Sequence, residues 1–433
     1  MAKDVLGAST RGAKAGVRAG VLTVLAAWAL VGCASITRTP APPDDYFKAR
    51  VPDFPFARFY GDKPLPEHAF DLVAWRENRA PLLESRRVDA APAQAHLLLL
   101  SGGGPDGAFG AGVLNGWSAY GDRPEFEIVT GVSIGALMAP FAFLGPDHDA
   151  RLREMFLRLR GRDDIVQVEF FGVIGGAIAL GDTAPLRRLI EEYVDEALLD
   201  AIAVEHRKGR RLFVGTTNLD ARRPITWNMG EIAISDRPER LQLFRDVLLA
   251  SASVPGLTPP VFIDVELDGR VYQEMHVDGG VMNSVILAVP TLTEEMRLAK
   301  FGETIPNLWV IQNNKLRAPY EPTQESLGGV LATTISELIR SQSRGDQSRL
   351  YFLSERERIN YRLAAVPKAF TAPGGDEFDP DYLKRLFDEG ERLARNGYPW
   401  RRAPSSLERL QLFDDDEADE GVVSVSRTVA SGP

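Results

Sequence analysis

The chain has 433 residues, 44% of them hydrophobic and 25% charged, a globular balance with length enough for a substantial core. Its formal net charge is −10; residues 1–32 contribute +3 (Lys3, Arg11, Lys14 and Arg18 against Asp4), so the remainder stands at −13 and nucleic acid is not an expected partner. The single cysteine, Cys33, excludes an internal disulfide and a cysteine-rich metal site.

The basic start leads into VLTVLAAWALVG at 21–32 and then Cys33. That run is too short for a comfortable membrane span and suits the core of a signal peptide. Cleavage at a small residue would leave Cys33 as a chance free thiol. Leu30-Val31-Gly32-Cys33 instead resembles the bacterial lipobox, whose cysteine is diacylated and becomes the mature N-terminus. The lipoprotein reading is preferred because the only cysteine stands where the apolar core ends. Ala34, in place of an aspartate, points to the outer membrane if the envelope is Gram-negative. The expectation is a bacterial envelope protein, with the membrane as a partner through its lipid anchor.

Residues 33–93 are rich in proline and arginine and read as a tether and N-terminal extension, with DLVAWRENRAPLL (71–83) as a short helix packing on the main domain. From His96 apolar strand-like runs alternate with helical patterns. HLLLL (96–100), FEIVTG (126–131), RLFVGTTNL (211–219), YQEMHVDGG (272–280) and LWVIQNN (308–314) read as extended, and ITWNMG with EIAIS as a further strand. Helical patterns cover 107–120, 134–144, 151–160, 185–209 (as one or two helices) and 243–255. This alternation predicts an α/β fold with a mostly parallel central sheet covered on both faces, over about 94–320. Residues 321–400 form a C-terminal helical extension packed on that domain. Its clearest element is the amphipathic DPDYLKRLFDEGERLARNG, with Leu383, Phe387 and Leu393 on its apolar side and Gly397 as its stop. Residues 401–433 form an acidic tail without pattern, expected to be disordered.

Two readings compete for SGGGPDGAFG, which follows the first strand. Gly102, Gly104 and Gly107 satisfy the G-x-G-x-x-G dinucleotide fingerprint. The same loop could aim backbone N–H groups at an oxyanion. A dinucleotide site needs a carboxylate at the end of the next strand, about 20 residues on. Glu125 and Glu127 stand at that strand's beginning, and its end carries Thr130 and Gly131, so the cofactor reading fails.

That strand runs instead into Gly131-Val132-Ser133-Ile134-Gly135, the G-x-S-x-G pattern of a nucleophile elbow. The plain alternative makes Ser133 a helix N-cap. A serine nucleophile needs a base, and of the five histidines His276 is the best placed, although two residues before Asp278 it reads more readily as a neighbour of the site. Asp278-Gly279-Gly280 at a strand end is either an ordinary turn or a carboxylate brought close enough to take the serine proton, with burial raising its pKa.

Together these residues resemble the patatin-like phospholipase family, which combines a G-G-G-x-x-G loop, a G-x-S-x-G elbow and a D-G-[AG] motif in that order. Here they are Gly102-Gly103-Gly104-Pro105-Asp106-Gly107, Gly131 to Gly135, and Asp278-Gly279-Gly280. Asp182-Thr183-Ala184-Pro185-Leu186, Thr217-Asn218-Leu219 and the run ASASVPG at 250–256 are also similar. The resemblance covers about 94–320 and implies a three-layer α/β/α sandwich acting as a catalytic domain. It implies a Ser133 nucleophile with Asp278 as base, without histidine, and oxyanion donors from Gly102, Gly103 and Gly104. It implies no cofactor and no metal. The expected substrate is a phospholipid or another acyl ester, cleaved in phospholipase A or lysophospholipase fashion. A general carboxylesterase or thioesterase on the same dyad, and a non-catalytic envelope lipoprotein on a degenerate hydrolase fold, are the alternatives.

Asp106 departs from the family, which often has a basic residue there. FFGVIGGAIALG (170–181) is apolar and uncharged. It reads either as a buried element or as a lid or lipid-facing edge, in which Phe170, Phe171, Ile174, Ile178 and Leu180 would touch acyl chains.

Overall fold

The computed structural model describes residues 38–63, 95–158, 167–168, 179, 181–286, 306–316, 320, 322–323, 325–370 and 379–404. The leader with Cys33, the 71–83 segment, the five residues expected at the lid and the tail beyond 404 lie outside them. The elements begin β1 (Arg58–Tyr60), β2 (His96–Leu100), α1 (Gly107–Tyr120), β3 (Ile128–Val132), α2 (Ile134–Leu144), α3 (Asp149–Leu157), β4 (Gln167–Val168) and β5 (Gly181–Asp182). Next come α4 (Ala184–Tyr193), α5 (Glu196–Arg207), β6 (Arg211–Asn218), β7 (Arg223–Asn228), α6 (Met229–Ile234) and α7 (Arg240–Ser251). The last are β8 (Val261–Leu267), β9 (Arg270–Asp278), β10 (Asn307–Gln312), α8 (Leu327–Glu357), β11 (Asn360–Ala365) and α9 (Pro380–Arg395).

The main sheet runs β1-β7-β6-β3-β2-β10-β11, with β9 joining at β6 and β8 pairing β9. Its centre, from β6 to β11, is parallel, as the alternation predicts. Buried on both faces, β2 reads as an unbroken leucine run for that reason. Leu98 and Leu100 enter the core formed with helices α1 to α7 and α9, whereas Leu97 and Leu99 meet Val310, Leu363 and Leu350 of α8. The fold is therefore α/β in three layers.

Glycines let α9 lie directly on α1. A Cβ at Gly112 would sit 2.1 Å from the Phe387 carbonyl oxygen, one at Gly116 2.3 Å from that of Glu391, and one at Gly390 2.3 Å from that of Phe109. The Asp379 side chain accepts the Asp381 N–H at 3.1 Å, and Pro380 occupies the first turn, where its missing N–H costs nothing.

Three expectations change. The region 321–400 also supplies β11, in parallel register with β10; Tyr361 and Leu363 fill one core and Ala364 the other, so Asn360 and Arg362 hide a strand. The region 33–93 is not all tether: Val51, Phe54, Ala57 and Phe59 are buried, and β1 pairs antiparallel with β7. EIAIS enters helix α6, because the Asn228 side chain accepts the Glu231 N–H at 3.3 Å and turns the chain there. The long pattern at 185–209 is two helices, parted at extended Val194 and restarted by Asp195, which accepts the Leu198 N–H at 2.9 Å.

Candidate active site

Ser133 joins the end of β3 to the start of α2 with φ 56° and ψ −127°, a backbone that a side chain rarely adopts. Such geometry costs on the order of 1–3 kcal/mol and persists only where the surroundings enforce it. They do here. A Cβ at Gly131 would lie 2.3 Å from the Gly135 carbonyl oxygen, and one at Gly135 2.4 Å from that of Leu100, so both flanks must be glycine. The Ser133 N–H donates to Ser251 Oγ at 3.0 Å, and Ser251 Oγ donates to the Gly215 carbonyl at 2.6 Å. Ser133 is thus more than an N-cap: its side chain makes no cap bond, and it stands over the positive end of the α2 dipole.

Strand β6 acts as the ruler that brings the aspartate to it. β3 pairs with β6 as far as Val132 opposite Gly215, and β9 takes over the same edge with Asp278 opposite Thr216. Nucleophile elbow and carboxylate therefore meet over one step of β6. Gly279 permits the approach, since a Cβ there would lie 2.6 Å from the Gly215 carbonyl oxygen. The Asp278 N–H donates to the Ser253 carbonyl at 2.7 Å, and its Oδ1 accepts the Gly280 N–H at 2.7 Å. The Ser133 side chain lies near enough to the carboxylate to lower its pKa. Burial pushes the Asp278 carboxyl up to about 6, against the pull of the nearby Ser133 hydroxyl and the Gly280 N–H. A carboxylate of that basicity is matched to proton transfer near neutral pH.

The glycine loop passes beside the nucleophile: a Cβ at Gly102 would lie 3.2 Å from Ser133 Cβ, and one at Gly107 2.3 Å from Ile134 Cγ1. Its three N–H groups are not equivalent, which corrects the expectation of three oxyanion donors. The Gly102 N–H is committed to the Ser284 carbonyl at 3.3 Å. Those of Gly103 and Gly104 make no hydrogen bond among the described residues. Gly103 lies against Asn313, whose carbonyl oxygen a Cβ would meet at 1.7 Å; Gly104, at φ 55°, has open space beside it. The Asp106 carboxylate accepts a hydrogen bond from the Tyr382 hydroxyl of α9 at 2.5 Å, so the departure from the family is tied to the C-terminal helix.

His276 is not poised as a base. Its ring is wholly buried, with Nδ1 3.0 Å from Thr216 Oγ1 and Nε2 3.1 Å from Glu274 Oε2. Burial holds its pKa below the usual histidine value. Glu274 is ion-paired with Arg58 of β1, and Trp227 Nε1 donates to Thr216 Oγ1 at 2.8 Å, so the histidine belongs to a structural network beneath the site. The residues without an assigned role in the sequence reading are Ser251, Ser253, Ser284 and Asn313. Only the first two had a signal, the ASASVPG run.

Residues 98–290 match the model of the patatin-like phospholipase family, and the elbow, the Asp-Gly-Gly turn and the glycine loop all fall inside that span. No curated protein sequence matches the chain. Among solved structures, VipD from Legionella pneumophila aligns over 71% of this chain and 68% of its own, at 13% identity and a TM-score of 0.34. Over residues 98–290 the chain is therefore similar to the patatin-like phospholipase family.

Proposed function

We propose that the protein is a lipid acyl hydrolase of the phospholipase A or lysophospholipase type, working through a Ser133–Asp278 dyad. The observation that carries this reading is the register on β6, which sets the Ser133 elbow beside buried Asp278, a carboxyl whose pKa is pushed up to about 6. Ser133 Oγ attacks the ester carbonyl carbon as Asp278 takes the hydroxyl proton. The carbonyl oxygen becomes an oxyanion, met by the N–H groups of Gly103 and Gly104; each such donor is worth about 3–4 kcal/mol. Collapse expels the alcohol, which leaves with the proton from Asp278, and Ser133 remains acylated. Asp278 then draws a proton from water, the hydroxide attacks the acyl carbon, and the second collapse returns the proton to Ser133 and frees the fatty acid.

The family match supports lipid acyl hydrolysis broadly. The test is fluorophosphonate labelling: the wild type labels and Ser133→Ala does not. A wild type that stays unlabelled points to the non-catalytic scaffold instead. The lid role of Phe170, Phe171, Ile174, Ile178 and Leu180 belongs to the same proposal. A charge at Phe171 is expected to reduce turnover of long-chain esters before short ones, and equal loss on both would refute it. Envelope anchoring through diacylated Cys33 rests on the lipobox alone, and Cys33→Ser should then move the protein from the membrane to the soluble fraction.

A further inference from the structure

Helix α8 covers the sheet from outside the matched span 98–290. A helix that only covers a sheet buries an apolar stripe. Leu350 fits that description, but Ser343, Asp346 and Gln347 are equally buried and lie beneath the strand ends that carry the site. Ser343 accepts from Gln312 Nε2 at 2.7 Å, and Gln347 donates to Gln312 Oε1. Asp346, with no exposed surface, reaches the other way. Its Oδ2 accepts the Ser284 N–H at 2.8 Å. Its Oδ1 accepts from Gln342 Nε2 at 3.2 Å, and the same amide donates to the Met282 carbonyl at 3.0 Å. A carboxylate can offer one oxygen to a buried backbone N–H and the other to a side-chain amide at once.

The segment so gripped joins the two halves of the site. It follows Asp278-Gly279-Gly280 directly, and Met282 and Asn283 donate their N–H groups to the Gly279 carbonyl at 3.1 and 2.9 Å. Its Ser284 carbonyl is the acceptor for the Gly102 N–H. The other side of Gly102 is held as well. Ser101 Oγ donates to the Gly102 carbonyl at 2.7 Å, and Asn313 grips Ser101 through its own N–H at 2.9 Å and its Nδ2 at 2.7 Å.

We propose that Asp346 is a positioning residue for the oxyanion loop: by clamping Ser284 it turns the Gly102 N–H aside and sets the direction of the Gly103 and Gly104 N–H groups. Asp346 acts on the loop through Ser284. The catalytic part of the inference rests on the hydrolase reading above; the clamp itself does not.

The test uses the full chain with Asp346→Asn, which turns amide hydrogens toward groups that are themselves donors. Two readouts are taken: hydrogen–deuterium exchange, and kcat and KM on p-nitrophenyl butyrate. Exchange should quicken together in peptides covering 98–107 and 279–287 and stay unchanged in α9. The kcat should fall about 100-fold, as for a misplaced catalytic group, with KM little altered, the mark of an interaction made only in the transition state. Unchanged exchange overturns the clamp whatever the activity. Quickened exchange with an unaltered kcat overturns the positioning role. A wild type with neither turnover nor fluorophosphonate labelling sinks the hydrolase reading and with it the catalytic half, while quickened exchange then still supports the clamp. If Asp346→Asn does not fold, Gln342→Ala takes its place, with the same pattern at smaller size expected and its absence overturning the proposal.

Discussion

Replacing Asp278 by asparagine removes a buried charge while keeping the side chain's shape, and the structure sets the size and sign of the outcome. The native carboxyl is pushed from an ordinary 3.8 to about 6, chiefly by burial. At about 1.4 kcal/mol per pH unit, that amounts to about 3 kcal/mol of preference for the neutral form. Between those two values the native state holds a proton that the unfolded chain has released. The contribution of Asp278 to stability is therefore full below 3.8 and is lost as pH rises through about 6. Asparagine never ionises, so the variant escapes that loss. Urea unfolding of both proteins should give similar stabilities near pH 3.5. A gap should open between pH 4 and 7 and reach about 3 kcal/mol at pH 8 in favour of Asp278→Asn. Asp346, also pushed to about 6 by burial, titrates in both proteins and drops out of the difference. A gap that is constant with pH, or that opens in favour of the wild type, would refute the assignment of the raised pKa to a desolvated Asp278. The expected result is a trade of stability for function at a single side chain.

The same ionisation should appear in turnover: kcat/KM on a neutral ester should rise tenfold per pH unit below about 6 and level off above it, and a profile flat from pH 5 to 8 would exclude a carboxylate base. The loop glycines should separate by mechanism. Gly103→Ala drives a methyl to 1.7 Å from the Asn313 carbonyl oxygen and should abolish both labelling and turnover, whereas Gly104→Ala meets no neighbour, bears only its φ of 55° and should fold with a loss of about 1–2 kcal/mol in urea. Equal effects from the two would contradict the loop geometry. Glu274→Gln strands the buried Arg58 guanidinium and should cost about 3–5 kcal/mol. Arg58 holds the Glu274 carboxyl down to about 2 from 4.5 despite its burial, so its contribution is present above 4.5 and lost as pH falls through about 2; a Glu274→Gln loss independent of pH would disprove this. His276→Gln should lower stability and leave fluorophosphonate labelling intact, and loss of labelling in a folded variant would restore a histidine to the mechanism.

Much of the fold was legible because it is written locally. Four leucines in a row announce a strand buried on both faces, and the α/β alternation follows from runs of that kind. The elbow was legible for a sharper reason: backbone that passes within contact distance of other backbone accepts only glycine, so Gly131, Gly135 and Gly279 marked their own geometry. The strands β1 and β11 escaped notice, since β1 is only three residues long, Asn and Arg interrupt β11, and only the neighbouring strand makes them strands.

By itself, then, the sequence determined which residue types stand at the elbow, the loop and the Asp-Gly-Gly turn, and in what order. The tertiary structure alone decided their partners: Ser251 reaches Ser133 across 118 residues, and Asn313 reaches Ser101 across 212. It also decided that the Gly102 N–H serves Ser284 while those of Gly103 and Gly104 stay uncommitted among the described residues, and that His276 serves Glu274 and Thr216 rather than the serine. Local backbone conformation depends on a residue and its neighbours in the chain. Hydrogen-bond partnership and burial depend on which distant segments the fold brings together.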